Sequence, residues 1–206
     1  MNIHLISRFA VAAVGAVFTC SLVDVNPAQA ASFKTFNFNG FDGEYTTVPS
    51  FDFTIDDLSL NVTATSEDGL GQVRRTVGGL GVFDGLGRGR EIDAAGGLLE
   101  TLFLNFGKKV SLVSATFGYV DGDDAFNLSV GDNSLFNGED IPDSNIFDFT
   151  SLDLTQTTAK TFSFTANAGS SYSLQSITVA AVPEPTTIFG LMAVGALASV
   201  GLKRKS

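Results

Sequence analysis

Apolar and polar residues alternate with period two through most of the middle of the chain. Ser32–Phe38 alternates near its end, and Leu58–Thr65 puts Leu58, Leu60 and Val62 on one side. Leu98–Phe106 alternates at Leu102, Leu104 and Phe106, and Val110–Val120 reads as a long strand. The rhythm continues through Phe126, Leu128 and Val130 in Ala125–Val130, and through Phe162 and Phe164 in Lys160–Ala166. It closes with Leu174, Ile177 and Val179 in Ser171–Val182. Successive strand side chains point to opposite faces, so this rhythm predicts strands with one buried and one wet face. β-branched and aromatic residues fill the runs, as a half-buried pleated surface favours. Turn clusters separate them: Asn39-Gly40, Asp68-Gly69, Asp121-Gly122, Asn137-Gly138 and Ala168-Gly169-Ser170. Between the two ends of the chain no stretch shows a 3.6-residue apolar period. The expected class is all-β, an antiparallel β-sandwich of jelly-roll-like form.

One segment departs from that rhythm. Gly69–Gly97 carries ten glycines in 29 residues, together with Arg74, Arg75, Arg88 and Arg90. It reads as a long exposed excursion with one short strand near Leu80–Phe83. Long loops in compact domains are often functional.

The two ends follow other rules. Met1–Arg8 is a short basic start and Phe9–Val23 is apolar. Ala28-Gln29-Ala30 then supplies a small-residue cleavage site before Ala31, so residues 1–30 are expected to be a secretory signal peptide. At the other end stand Val182-Pro183-Glu184-Pro185, an uncharged apolar run from Thr186 to Leu202, and Lys203-Arg204-Lys205-Ser206. The run is 17 residues long, near the lower limit for a spanning helix. Its glycines are tolerated in lipid, and the basic end is expected to stay on the cytoplasmic side. The predicted organisation is a signal peptide (1–30), a β-sandwich domain (31–181) and a tail (182–206) with one transmembrane helix at 186–202.

The order of Pro183, Glu184 and Pro185, apolar helix, and Lys203, Arg204 and Lys205 resembles the PEP-CTERM sorting signal. That signal occurs in Gram-negative bacteria, many cyanobacteria among them. The resemblance covers about an eighth of the chain. It implies recognition and cleavage near the Pro-Glu-Pro box by a membrane transpeptidase-like exosortase. It also implies passage through the inner membrane to the cell surface, the outer membrane or the medium, often in organisms that make exopolysaccharide. The stretch Gly79–Phe106 is similar to a pattern in other exosortase-sorted sandwich proteins, at Gly79, Leu80, Gly81, Val82, Ile92, Asp93 and Glu100. That likeness supports the sandwich and implies no activity.

Composition narrows the chemistry. The single cysteine, Cys20, and the single histidine, His4, both lie inside the predicted signal peptide. The expected mature segment therefore has no disulfide, no Ser-His-Asp triad, no cysteine nucleophile and no Cys/His zinc site. The glycine-rich segment lacks the Gly-Lys-Ser/Thr ending of a phosphate loop. Between Ala31 and Pro185, eight Lys and Arg stand against 21 Asp and Glu, a net charge of −13. Such a surface repels nucleic acid and anionic membrane.

Acidic turns suit calcium, a hard cation that takes oxygen ligands on flexible loops. Asp121, Asp123 and Asp124 are the first candidate ligands. Asp132, Glu139, Asp140 and Asp143 form a second acidic loop, and Asp93 with Glu100 a third. A carboxylate pair such as Glu91 and Glu100 is what glycoside hydrolysis would need. Tyr45, Tyr119 and Tyr172 are the candidates for stacking on sugar rings. The expected function is an exported, non-enzymatic surface or extracellular-matrix protein with a structural or adhesive role and contacts to extracellular polysaccharide. The alternatives are a calcium-dependent carbohydrate-binding module and a small glycan hydrolase.

Overall fold

The structure, a computed structural model, describes residues 32–41, 45–67, 71–85, 89–94 and 98–182. Strands make up 65% of it and helix 3%, which settles the class as all-β. The strands are β1 (Phe33–Asn37), β2 (Thr46–Val48), β3 (Ser50–Ile55), β4 (Leu58–Ser66), β5 (Gln72–Thr76), β6 (Gly79–Phe83) and β7 (Ile92–Asp93). They continue as β8 (Glu100–Gly118), β9 (Ala125–Val130), β10 (Asn133–Asp140) and β11 (Ile146–Asp148). One turn of helix, α1 (Leu154–Thr157), precedes β12 (Thr158–Ala166) and β13 (Ser171–Ala181). The ladders are antiparallel and join into a single hydrogen-bonded network.

β8 organises that network. The sequence predicts two strands here, and the structure runs them together through Gly107-Lys108-Lys109 as one strand of 19 residues. Its first half lies between β4 and β12, with Leu104 opposite both Val62 and Phe162. Its second half pairs with β13 and β11. The inward positions change parity along the way: Leu102, Leu104, Phe106, Val110 and Leu112 are buried, then Ala115 and Phe117. Register shifts in the β8–β13 ladder accompany that change, as expected where an extra residue bends a strand.

Phenylalanine fills the space between the arms that β8 joins. Phe36 on β1 meets Phe106 on β8 edge to face, ring centres 5.7 Å apart. Phe117 on the far half of β8 meets Phe126 on β9 at 5.1 Å and Phe164 on β12 at 6.2 Å. Among the described residues no ladder joins β1 to β8 or β9 to β8, so the Phe36–Phe106 and Phe117–Phe126 contacts hold together strands that backbone hydrogen bonds do not. Offset and edge-on ring pairs add about 0.5–1.5 kcal/mol each beyond their buried area.

Two expectations are corrected. The glycine-rich segment is not a long exposed excursion: β5 and β6 form a hairpin within it, and Val73, Leu80 and Val82 are fully buried. The second acidic loop is largely strand, since Glu139 and Asp140 lie on β10, paired with Phe126 and Ala125 of β9. The predicted signal peptide with Ala28, Ala30 and Ala31, the box residues Pro183, Glu184 and Pro185, the helix 186–202 and Lys203, Arg204 and Lys205 lie outside the described residues. Among the described residues no helix is long and apolar enough to cross a membrane.

Candidate functional site

The β5–β6 hairpin floors an open surface cleft. Gly81 on β6 has no side chain, and the backbone of Arg90 and Glu91 lies directly against it; an added Cβ would overlap the Arg90 carbonyl. The approach is sealed by Val82 N–H donating to the Glu91 carbonyl at 3.0 Å. Gly89, at φ +97°, turns the chain into this position in the left-handed region that glycine alone enters cheaply. Ile92 and Asp93 then pair with Tyr172 and Ser171 of β13. The spaced residues Gly79–Val82, Ile92–Asp93 and Glu100 thus form one packed unit, closed by Asp93 N–H donating to the Glu100 carboxylate at 3.0 Å.

Above this floor lies an open cleft of about 370 Å³, lined by Tyr45, Arg74, Gly89, Arg90 and Glu91. Arg74 on β5 is held from three sides. Its Nε donates to Thr47 Oγ1 at 3.2 Å, and a terminal N–H donates to the Gly89 carbonyl at 2.9 Å. Its guanidinium stacks 4.1 Å from the centre of the Phe83 ring. Arg90 lies over the Tyr45 ring at 5.0 Å. Tyr45 stays 54% exposed, so Arg90 shields only part of its ring. Burial pushes the Glu91 carboxyl above its ordinary range, and the Ser171 hydroxyl that donates to it pulls the other way. The neighbouring Arg75 is structural: it donates to the carbonyls of Phe38 at 2.9 Å and Asn39 at 2.7 Å.

The acidic turn after β8 has a different character. Asp124 is 7% exposed, and its carboxylate accepts from Asp121 N–H at 2.6 Å and Ser171 N–H at 2.9 Å. It therefore ties the turn to the start of β13. Asp121 and Asp123 are exposed. Among the described residues no three His, Cys, Asp or Glu side chains converge as metal ligands. Glu100, the other buried acid singled out above, is 3% exposed and caps Asp93.

The tyrosines separate cleanly. Tyr172 is fully buried, with its ring 5.3 Å from Phe117, which removes it as a sugar platform. Burial, and then the Asp124 charge, push its hydroxyl well above the usual phenol range. Tyr119 packs beside Gly78. Tyr45 alone of the three lines the cleft. Tyr45 and Glu91 are candidates from sequence alone, but the contacts that gather Tyr45 and Arg74 beside Arg90 and Glu91 are long-range and leave no local pattern.

The PEP-CTERM protein-sorting motif matches residues 181–205. No curated protein and no solved structure matches the chain. The motif spans the box, the apolar run and the basic end, and marks the chain for exosortase processing and sorting to the bacterial cell surface.

Proposed function

We propose that this is a non-enzymatic structural or adhesive component of an extracellular matrix, displayed at or released from the surface of a Gram-negative bacterium. The sorting motif at 181–205 carries the reading, because it sets the destination of a chain whose folded part is a β domain. On this reading the sheet network, turned back on itself at β8, is a jelly-roll-like sandwich that presents its loops to the matrix. The tail spans the inner membrane only until the exosortase acts. The absence of histidine and cysteine between Ala31 and Pro185 supports a role without catalysis.

The test is intact mass of the protein from its host's envelope and medium, together with fractionation of the matrix. A species beginning at Ala31, ending near Pro185 and co-fractionating with polysaccharide is expected. A species still ending at Ser206 and confined to the inner membrane would overturn the reading. The second reading is a calcium-dependent carbohydrate-binding module. The Tyr45 cleft favours its carbohydrate half, while the Asp124 carboxylate is buried and already accepts two backbone N–H groups.

A further inference from the structure

We propose that the cleft between Tyr45 and Arg74 binds a carboxylated sugar, a uronic acid unit of an acidic polysaccharide. The proposal rests on the adhesive reading above and names the partner chemistry of its site.

Charge is the first reason. From Ala31 to Pro185 acids outnumber bases 21 to eight, so a cation has carboxylates to choose from. Among the described residues the ion pairs are Lys34–Asp56 and Lys108–Asp57, and neither uses an arginine. The cleft instead sets two guanidiniums against one carboxylate, Glu91. Among the lining residues the cations outnumber the acids, with Asp93 and Asp124 close enough to act on Glu91. A planar guanidinium matches a carboxylate with two parallel N–H donors. The acidic surroundings work against dense polyanions such as nucleic acid. A uronate polymer carries only one charge per ring and is repelled less.

Preorganisation is the second. Arg74 is clamped by Thr47, Gly89 and the Phe83 ring, with two of its five N–H donors engaged among the described residues. A guanidinium already fixed loses little rotamer freedom on binding. The third reason is the mixture of groups. Tyr45 offers an exposed ring to the apolar face of a sugar. Arg90 braces that ring, and Glu91 accepts from sugar hydroxyls. A bare anion needs neither ring nor acceptor. The volume of about 370 Å³ lies within the range of small-ligand sites.

Calorimetric titration of protein recovered from the host surface tests this. The probes are a glucuronic acid trimer, cellotriose as its neutral counterpart, and sodium sulfate as charge alone. The acidic trimer is expected to bind at least about tenfold tighter than cellotriose, with sulfate failing to displace it. Arg90→Gln and Tyr45→Ala change exposed side chains, so each is expected to weaken the trimer about tenfold at unchanged melting temperature. Equal binding of acidic and neutral trimers, full displacement by sulfate, or no binding at about 10 mM trimer would each overturn the proposal. So would variants that bind like the parent. If the trimer fails while the protein still co-fractionates with matrix polysaccharide, the cleft is wrong and the adhesive reading stands. If the protein is absent from the matrix, the adhesive reading itself has failed.

Discussion

Replacing Asp124 with asparagine separates a structural carboxylate from a metal ligand. In the native turn both oxygens of Asp124 accept backbone N–H groups, from Asp121 on one side and Ser171 on the other. Asparagine keeps one oxygen and puts an amide NH₂ in place of the second. Whichever way it turns, one buried N–H then faces a donor. An unsatisfied buried amide costs about 1–3 kcal/mol, and the remaining bond also loses its charge assistance. The total is about 2–3 kcal/mol. For a domain of this size each kcal/mol moves the melting temperature by about 2–4 °C, so Asp124→Asn is expected to melt about 4–12 °C lower. The assay is thermal melting followed by circular dichroism, once in EDTA and once in millimolar calcium. The loss is expected in full in EDTA. If parent and variant melt together in EDTA and diverge only with calcium, Asp124 is a metal ligand and the structural account is wrong.

Four further outcomes follow from the same geometry. Tyr172→Phe removes a fully buried hydroxyl without a partner among the described residues, so denaturant melts should show a gain of about 1–3 kcal/mol; a loss would mean that the hydroxyl has a partner. Gly81→Ala forces a Cβ into the Arg90 carbonyl, so it is expected to cost about 1–3 kcal/mol in the same melts and to displace one wall of the cleft. Phe117→Ala empties the contact of Phe126, Phe164 and Tyr172 and is expected to cost about 3–5 kcal/mol, read from urea midpoints at constant slope. The raised carboxyl of Glu91 sets a pH dependence: the folded state binds the proton more tightly, so the contribution of Glu91 is most favourable below the ordinary glutamate range and declines as pH rises through the raised value. Glu91→Gln should therefore raise the melting temperature relative to the parent at pH 7 more than at pH 4, and an equal shift at both would refute this.

Strands that bury one face were legible because burial on one side writes a period of two into the sequence. β4, β9, β12 and both halves of β8 show their inward residues at alternating positions, and those residues are the core. Strands without a consistently buried face left no such mark. β10 bonds to β9 among the described residues and has no fully buried residue. Its sequence therefore reads as an acidic turn, whereas β3, outside the strands predicted above, does carry the alternation at Phe51, Phe53 and Ile55, which pack half-buried against the core. β6 is legible as the short strand near Leu80–Phe83, but its burial is not. It is buried at Gly79, Leu80, Gly81 and Val82 in succession, and its glycines look like loop until the backbone they admit is in view.

The sequence by itself determined the all-β class, most of the core strands and the sorting motif at 181–205, because each depends on residues close together in the chain. Tertiary structure decided the two carboxylate roles and the cleft. Asp124 became a backbone anchor only when β13 was brought to it, and the cleft gathers Tyr45, Arg74 and Glu91 from three separate segments. Local pattern records which face of a strand is buried. It does not record which distant segment will cover that face, and long-range pairing alone brought these charges and rings together.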